Sequence, residues 1–197
     1  MCGRFLLSVD IEELLERYRI AKGWVTDDWA PEIFPSNVVP IVTNQGVREL
    51  RPLKWGLVPP YTKGLIINSR GETVDSKPMF RRAFRQKRCI IPANAFFEWQ
   101  RAGKSSAKHK VYLKQQSIFS MAGIYDNFLD NDGKAFTAFS ILTTTPNSLV
   151  AQIHDRMPVI LPIEAEDIWL DPMIQDFALL KSLICPYDES QMAMEKI

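Results

Sequence analysis

The first helix that the chain predicts lies near its start, where apolar residues return at helical spacing. Its inner face takes the i, i+3, i+4 and i+7 positions of residues 9–20, namely Ile11, Leu14, Leu15 and Tyr18. Asp10 precedes this face, and the acidic residues that follow it suit the positive end of a helix dipole. We therefore predict an amphipathic helix that begins close to Asp10.

Apolar runs of strand length follow along most of the remaining chain. The first two, 38–43 and 47–53, flank the turn Asn44-Gln45-Gly46 and predict a hairpin. Pro40 lies inside the first run and predicts an edge strand or a bulge, because proline cannot donate to a ladder. Further strands are predicted at 89–91, 95–100, 110–114, 118–122, 136–143 and 157–161.

The other predicted helices are scattered among these strands. They cover residues 78–87, 146–153, 163–170 and 174–183, and the polar residues 184–197 predict a frayed tail. Because strands and helices do not alternate regularly, we expect an α+β fold with a curved, mainly antiparallel sheet or barrel-like core and peripheral helices. No repeat or linker divides the chain, which predicts a single domain over 1–197.

Composition narrows the class of protein. The chain has 197 residues, 46% hydrophobic and 24% charged, as in an ordinary soluble protein. No run approaches the roughly 18 apolar residues of a membrane span, and the apolar part of the first ten residues is too short for a signal peptide. We expect an intracellular protein, in the cytoplasm or nucleoid of a bacterium or the nucleus of a eukaryote, without membrane attachment or secretion.

Cysteine and histidine usage argues against disulfides and metals. Cys2, Cys89 and Cys185 are odd in number and far apart, unlike a disulfide framework. The chain has two histidines and no CxxC or HExxH motif, so neither a metal nor another cofactor is expected. The net charge is +1, so any nucleic-acid interface requires locally concentrated cations.

Cys2 is the first candidate for chemistry. The initiator methionine is normally removed before a residue as small as cysteine, which leaves an amine and a thiol on adjacent carbons. An α-amine has a pKa of about 8, so it is a far better nucleophile at neutral pH than a lysine. This pair can attack an aldehyde in sequence and close a thiazolidine ring. The alternative is an incidental or buried cysteine near a terminus.

One polar cluster and one glutamate provide candidate partners for Cys2. Asn68, Arg70 and Glu72 share one face if their segment is extended, whereas the alternative is a solvated loop. Glu98 lies among aromatic residues, with Phe97 and Trp99 expected on the opposite side of the strand. Desolvation there raises a carboxyl pKa toward acid–base use, unless the residue is an edge glutamate paired with a cation.

A basic run and a histidine loop complete the candidates. The run holds five cations in eight residues, which suits a phosphate backbone or simply a solvated helix face: Arg81, Arg82, Arg85, Lys87 and Arg88. His154 precedes Asp155 and Arg156 in a predicted loop and is a candidate for proton transfer or for a structural hydrogen bond. His109 is expected in a solvated loop.

These segments together resemble the SOS response-associated peptidase (SRAP) family of abasic-site processing proteins. The similar segments span residues 2 to about 162, in the family's order and approximate spacing. They are Met-Cys-Gly-Arg-Phe at the start, Lys54-Trp55-Gly56-Leu57, Asn68-Ser69-Arg70-Gly71-Glu72, Arg88-Cys89-Ile90-Ile91-Pro92-Ala93, Phe97-Glu98-Trp99 and His154-Asp155-Arg156-Met157-Pro158.

The resemblance implies an enzyme that captures an abasic site in single-stranded DNA. The amine and thiol of Cys2 would form a thiazolidine crosslink with the ring-opened deoxyribose aldehyde, which protects the lesion. His154 would act at the sugar's ring oxygen, Glu98 would hold or deprotonate the amine and assist reversal, and Asn68 would hydrogen-bond the adduct.

The resemblance also implies the surroundings of the reaction. DNA would be held by Arg4, Trp55, Arg70, Arg81, Arg82 and Arg156, with Trp55 as a stacking face. The expected partner is single-stranded DNA with abasic sites, including single-strand/double-strand junctions, bound by a monomer without metal. Ser69 departs from the family's usual alanine, and Tyr61 stands near where a second tryptophan is common, which puts base stacking in question.

Two other functions fit the same residues. One is a thiol peptidase, in which Cys2 cleaves peptide bonds, including those of its own N-terminus, with help from His154 and Glu98. The other is a non-catalytic module that binds intact and abasic single strands equally.

Overall fold

The computed structural model describes residues 2–21, 28–58, 64–102, 105–129 and 133–197. The strands described are β1 (Phe5–Leu6), β2 (Glu32–Ile33), β3 (Val38–Asn44), β4 (Arg48–Trp55), β5 (Asn68–Arg70), β6 (Arg88–Ala93), β7 (Ala95–Ala102), β8 (Ser105–Leu113), β9 (Phe119–Leu129), β10 (Ala135–Thr144), β11 (Met157–Pro158), β12 (Ile160–Leu161) and β13 (Met192–Lys196). The α-helices described are α1 (Ile11–Arg17), α2 (Pro78–Gln86), α3 (Glu166–Leu170) and α4 (Phe177–Ser182).

Five strands close into a barrel. Strand β10 pairs with β4 and with β9, while β3 and β6 complete the ring between them. Apart from the parallel pairings of β10 with β4 and β5, the ladders are antiparallel. The α+β fold with a curved, mainly antiparallel, barrel-like core is therefore confirmed.

A second sheet lies beside the barrel, with strand order β13-β8-β7-β1-β2. The short strand β1 joins it because Phe5 pairs with Phe96 of β7. Strand β5 extends the barrel sheet, since Asn68 pairs with Ile141 two positions beyond the pair of Phe139 with Trp55. Segments from the two sheets meet where β1, β5 and β7 approach one another.

Short sequence motifs explain where several helices and turns begin. Asp10 accepts a hydrogen bond from the N–H of Glu13, and the Glu13 side chain accepts one from the N–H of Asp10, which together form a capping box at the start of α1. Gly46 adopts a φ of +97° in the β3–β4 turn, and its N–H donates to the Asn44 side chain. Pro78 occupies the first turn of α2.

Some predicted elements differ from those observed. Residues 146–153 contain only a 3₁₀ turn at Val150–Gln152, and the helix predicted at 163–170 begins as a 3₁₀ turn, Ile163–Ala165. Pro40 lies in β3, which is paired on both sides and is not an edge strand, although Pro40 itself faces Pro52 and precedes the pairing with β6. The tail predicted to fray contains β13, which pairs with β8 over five residues.

The prediction that His109 is exposed to solvent is wrong. His109 lies in β8 and is buried, rather than in a solvated loop. Its neighbours Lys108 and Lys110 project from the other face of the strand. The charged residues on both sides of His109 therefore predicted exposure, although His109 itself points inward. In the described part of the chain, no helix is long and apolar enough to cross a membrane.

Candidate active site

Cys2 is buried three residues before β1 and held through its backbone and side chain. Its thiol lies 3.7 Å from the Arg4 carbonyl oxygen, which also accepts a hydrogen bond from the N–H of Phe97. Burial raises the pKa of the Cys2 thiol well above its usual range, and the charge of Glu98 raises it further. The sulfur is therefore a neutral thiol that needs a base before it can attack.

Asn68 joins the barrel sheet to Cys2. Its side-chain amide nitrogen donates to the Cys2 carbonyl oxygen at 2.9 Å, although the two residues are 66 positions apart. Its buried Oδ1 atom accepts no hydrogen bond from any described residue. A buried amide oxygen without a donor is costly, so this atom is suited to accept one from a bound group.

Glu98 supplies a desolvated carboxyl. It lies in β7 with only 2% of its surface exposed. Burial raises its pKa to about 7, with a smaller contribution from the charge of Asp155. Lys108 lies 4.0 Å from the Phe97 ring and 5.9 Å from the Trp99 ring on the opposite face of the strand, so the predicted alternation around Glu98 is confirmed. A carboxyl that titrates near neutrality can act as acid or base.

His154 follows the 3₁₀ turn Val150–Gln152 and faces Glu98, with its Nε2 atom 3.8 Å from Oε2. Its other nitrogen, Nδ1, accepts a hydrogen bond from the backbone N–H of Arg156 at 3.0 Å. The Asp155 carboxylate also lies 3.0 Å from Nδ1. The two contacts of Nδ1 favour different protonation states of the imidazole. The backbone N–H of Arg156 stabilises the neutral ring with its proton on Nε2, whereas the Asp155 carboxylate stabilises the imidazolium.

A cleft of about 700 Å³ opens beside Glu98 and His154. It is lined by Arg70, Glu98, Trp99, Ser106, Ile153, His154, Asp155 and Arg156. Arg70 is exposed there and forms no ion pair within the described ranges. Arg156 instead has two short contacts with Glu72 and a side chain only 12% exposed. The predicted face of Asn68, Arg70 and Glu72 is thus partly observed, because β5 ends at Arg70 and a turn follows.

Arg4 lies on a cation–aromatic surface next to Cys2. Its guanidinium lies 4.2 Å from the Phe34 ring and 5.0 Å from the Trp99 ring. Glu32 pairs with Arg4 and with Lys108. This surface is contiguous with the cleft through Trp99. No motif in the sequence predicted that Phe34 and Glu32 would lie next to Arg4.

Trp55 does not provide a stacking face, and that prediction is wrong. The side chain is fully buried, with its ring 5.2 Å from Phe5 and 6.3 Å from Phe139. Its indole N–H donates to the Ile67 carbonyl oxygen at 2.9 Å. Trp55 is therefore a core residue of the barrel. Tyr61, the other residue considered for base stacking, lies outside the described residues.

The basic run after residue 80 does not form one surface. Arg81 and Arg82 are exposed on α2 beside a second cavity, of about 460 Å³, and Arg82 pairs with Asp126. Arg88 is buried in β6, and its guanidinium donates to five backbone carbonyl oxygens. Its predicted place on the helix face is wrong. The cavity beside α2 and the cleft beside Glu98 and His154 share no lining residue.

Ser69, which replaces the alanine usual in the resembling family, is accommodated by a local partner. Its side chain is buried, and its hydroxyl lies 2.8 Å from the hydroxyl of Ser140 on the neighbouring strand β10. The extra hydroxyl therefore has a hydrogen-bonding partner inside the sheet.

The barrel, the flanking sheet and the cleft between them define a class of protein already known from solved structures. A protein from Bacteroides thetaiotaomicron superposes with a TM-score of 0.89 at 32% identity, over 100% of this chain and 92% of that one. The family model described as SOS response associated peptidase (SRAP) matches residues 1–197, and the chain belongs to that family.

Named relatives agree with this assignment. The abasic site processing protein YoqW of Bacillus subtilis is 38% identical, over 98% of this chain and 90% of its own length. The abasic site processing protein YedK of Escherichia coli is 28% identical, over 86% of this chain and 79% of its own length.

Proposed function

We propose that this protein captures abasic sites in single-stranded DNA, including those near junctions with duplex, through a covalent bond to Cys2. The observation that carries the proposal is the convergence of four distant segments on one site, beside a cleft that Glu98 and His154 line. Asn68 donates a hydrogen bond to the Cys2 carbonyl oxygen, and the charge of Glu98 raises the pKa of the Cys2 thiol. The imidazole of His154 lies 3.8 Å from the Glu98 carboxyl. The names of its relatives supply the substrate class.

The reaction begins once Met1 has been removed and the Cys2 amine is free. The amine adds to the C1′ aldehyde of the ring-opened deoxyribose, and loss of water gives an imine. The Cys2 thiol then adds across the carbon–nitrogen double bond, so that sulfur bonds to C1′ and the thiol proton ends on nitrogen. The product is a thiazolidine, and only one water is released.

The cleft residues supply the proton transfers. His154 protonates the sugar's ring oxygen as the closed hemiacetal opens, because its neutral tautomer carries the proton on the nitrogen that faces the cleft. Glu98, with a pKa raised by burial to about 7, accepts a proton from the Cys2 amine and returns one to the departing hydroxyl. The free Oδ1 atom of Asn68 accepts a hydrogen bond from the new ring nitrogen.

Cations around the cleft hold the DNA backbone. The exposed Arg70 at the cleft and the half-buried Arg4 beside Trp99 bind the flanking phosphates. Arg81 and Arg82 extend the contact along α2. The protein acts as a monomer, without a metal or other cofactor.

The proposal is tested by incubating the protein with an abasic single-stranded oligonucleotide and resolving the mixture on a denaturing gel. We expect an adduct whose intact mass equals protein without Met1 plus DNA minus one water. Cys2→Ala abolishes it, whereas Cys185→Ala, which alters an exposed cysteine, does not.

Other outcomes identify the competing functions. Peptide cleavage that depends on Cys2, without a DNA adduct, would indicate a thiol peptidase. Equal and salt-sensitive binding of intact and abasic strands, independent of Cys2, would indicate a non-catalytic binding module. Either result contradicts the proposal.

A further inference from the structure

We infer that Phe34 and Trp99, with Arg4 in contact with both rings, form a base-stacking surface for single-stranded DNA at the edge of the cleft. The inference rests on the proposed function, because it gives a binding place to the unpaired bases of the strand that Cys2 would capture. Trp55, the residue first considered for stacking, lies in the barrel core. Stacking therefore requires other aromatic side chains near the cleft.

Phe34 presents its ring to solvent. It is the most exposed aromatic side chain among the residues that the structure describes, with 41% of its surface accessible. A base that stacks on this ring would remove apolar surface from water on both partners. No rearrangement of the core is needed for this contact, because the ring already lies outside it.

The turn that carries Phe34 is rigid. The N–H of Asn37 donates to the Phe34 carbonyl oxygen at 3.1 Å, and the N–H of Phe34 donates to the Asn37 side chain at 2.8 Å. Pro35 and Ser36 form the corner, and Ser36 has a φ of +75°, as the third residue of a type II turn requires. The N–H of Ser36 donates to the Trp55 carbonyl oxygen at 2.8 Å, which ties the turn to the barrel. A ring on such a turn loses little freedom when it binds a base.

Arg4 joins the exposed ring to the cleft. Its guanidinium lies 4.2 Å from the centre of the Phe34 ring and 5.0 Å from that of the Trp99 ring. On the same face, the Lys108 ammonium lies 5.9 Å from the Trp99 ring. Aromatic rings interleaved with cations are typical of surfaces that bind single-stranded nucleic acid, where the rings stack on bases and the cations follow the backbone.

The charge of this surface also favours DNA. The Glu32 carboxylate lies 3.2 Å from the Arg4 guanidinium and 2.7 Å from the Lys108 ammonium. Two cations thus share one carboxylate, which leaves a positive charge in surplus within the described part of this surface. The Arg4 and Lys108 side chains are 30% and 24% exposed, so phosphates can reach them.

The position of Trp99 determines which bases reach the surface. Trp99 lines the cleft together with Glu98 and His154. A strand whose abasic sugar lies at Glu98 and His154 can therefore continue over Trp99 to Phe34. Bases inside a duplex already stack on one another and leave no free face for a side chain. The surface is therefore specific for unpaired nucleotides on this side of the lesion.

Noncovalent binding of an intact oligothymidine strand is the direct test. Phe34→Ala should weaken the affinity about fivefold or more, as expected for one stacked base. The salt dependence should not change, because no charge is lost. Phe34→Tyr should stay within about twofold of wild type, whereas Phe34→Leu, which is apolar but has no π face, should lose most of the affinity as well.

Phe136→Ala is the matched control, because it also removes a phenyl ring beside a cation. The Lys54 ammonium lies 5.5 Å from the Phe136 ring, and Phe136 does not line the cleft. Its affinity for oligothymidine should stay within about twofold of wild type, since no base stacks there. Equal affinities of Phe34→Ala and Phe136→Ala would overturn the inference.

A strand without bases separates stacking from backbone binding. The probe is an oligomer of tetrahydrofuran sugar phosphates, which carries neither bases nor aldehydes. Wild-type protein and Phe34→Ala should bind this strand equally, since the ring then has nothing to stack on. A loss of affinity in Phe34→Ala that is the same with and without bases would assign Phe34 to backbone binding and contradict the inference.

Adduct formation distinguishes this inference from the proposed function. At limiting abasic DNA, Phe34→Ala should form the adduct about fivefold more slowly or worse, and at saturating DNA its rate should equal that of wild type. A lower rate at saturation would place Phe34 in the reaction itself and contradict the stacking role. Absence of any adduct with the wild-type protein would refute only the proposed function, because the oligothymidine measurement involves no covalent bond.

Discussion

The imidazole of His154 lies 3.8 Å from the carboxyl of Glu98, although the two residues come from different parts of the fold. Glu98 comes from β7 of the flanking sheet, whereas His154 comes from the connection that leads into β11 of the barrel sheet. The hydrogen bond from Asn68 to the Cys2 backbone crosses the same boundary. The candidate site is therefore assembled where the two sheets meet, and its groups share a desolvated environment that raises the pKa values of both Cys2 and Glu98.

Glu98→Gln should stabilise the protein in a pH-dependent way. Burial raises the folded-state pKa of Glu98 from 4.5 to about 7, so the stability that this carboxyl contributes below pH 4.5 is lost as the pH rises through 7. Glutamine undergoes no such loss. We expect the variant to be more stable than wild type by up to about 3 kcal/mol at pH 8, with no gain near pH 4. Urea unfolding at the two pH values measures this, with the exposed Glu16→Gln as control, and a less stable variant at pH 8 would contradict it.

The same Glu98→Gln variant should lose activity while it gains stability. If Glu98 is the base for the Cys2 amine, adduct formation slows by about 100-fold or more. In the wild-type protein the rate rises with pH as Glu98 ionises around pH 7, and in the variant this step disappears. Initial rates of crosslinking from pH 5 to 9 provide the measurement. A variant with wild-type rates would remove Glu98 from the reaction.

Asn68→Asp isolates the contact that positions Cys2. Aspartate has nearly the same shape, but it cannot donate to the Cys2 carbonyl oxygen and places negative charge beside it. Loss of one buried hydrogen bond costs about 1–3 kcal/mol, so crosslinking should slow by up to about 100-fold. The exposed Asn127→Asp, which makes the same chemical change on β9, should leave the rate unaltered. Equal rates for the two variants would argue against a role for Asn68.

The sequence supports the prediction of strands better than that of the site. The β3–β4 hairpin and α1 depend on spacings within a few residues, and both are observed where predicted. Trp55 and Arg88 show the limit of such signals, because each is amphipathic and its burial depends on strands or helices far along the chain. The resemblance to a family could select Cys2, Asn68, Glu98 and His154 as candidates. Their distances depend on how two sheets pack, which no local pattern encodes.

Trp55 should prove to be a stability residue. Trp55→Ala leaves a cavity between Phe5 and Phe139 and should destabilise the fold by about 3–5 kcal/mol. Trp55→Phe retains most of the packing but loses the hydrogen bond to Ile67, at a cost of about 1–2 kcal/mol. Denaturant unfolding measures both changes, and affinity of the folded Trp55→Phe variant for single-stranded DNA should equal that of wild type. A selective loss of affinity would instead restore Trp55 as a base-stacking residue.

Arg81 and Arg88, seven positions apart in one basic run, should respond in opposite ways. Arg88 donates to five carbonyl oxygens at the end of α2, at the end of α3 and in the segment that follows α3, and burial lowers its pKa to about 10. Lysine has three donors on a single nitrogen and cannot reproduce these contacts, so Arg88→Lys should destabilise the fold by about 3 kcal/mol. The salt dependence of DNA binding should not change.

Arg81→Gln should produce the converse result. Arg81 is exposed and has no ion pair within the described residues, so its loss should alter stability by less than about 0.5 kcal/mol. If it binds a phosphate, the slope of log affinity against log salt for single-stranded DNA should fall in magnitude by about 0.7. Binding titrations between low and moderate salt measure the slope for both variants. An unchanged slope in Arg81→Gln would remove Arg81 from the DNA interface. A reduced slope in Arg88→Lys, which keeps the positive charge, would contradict the buried structural role of Arg88.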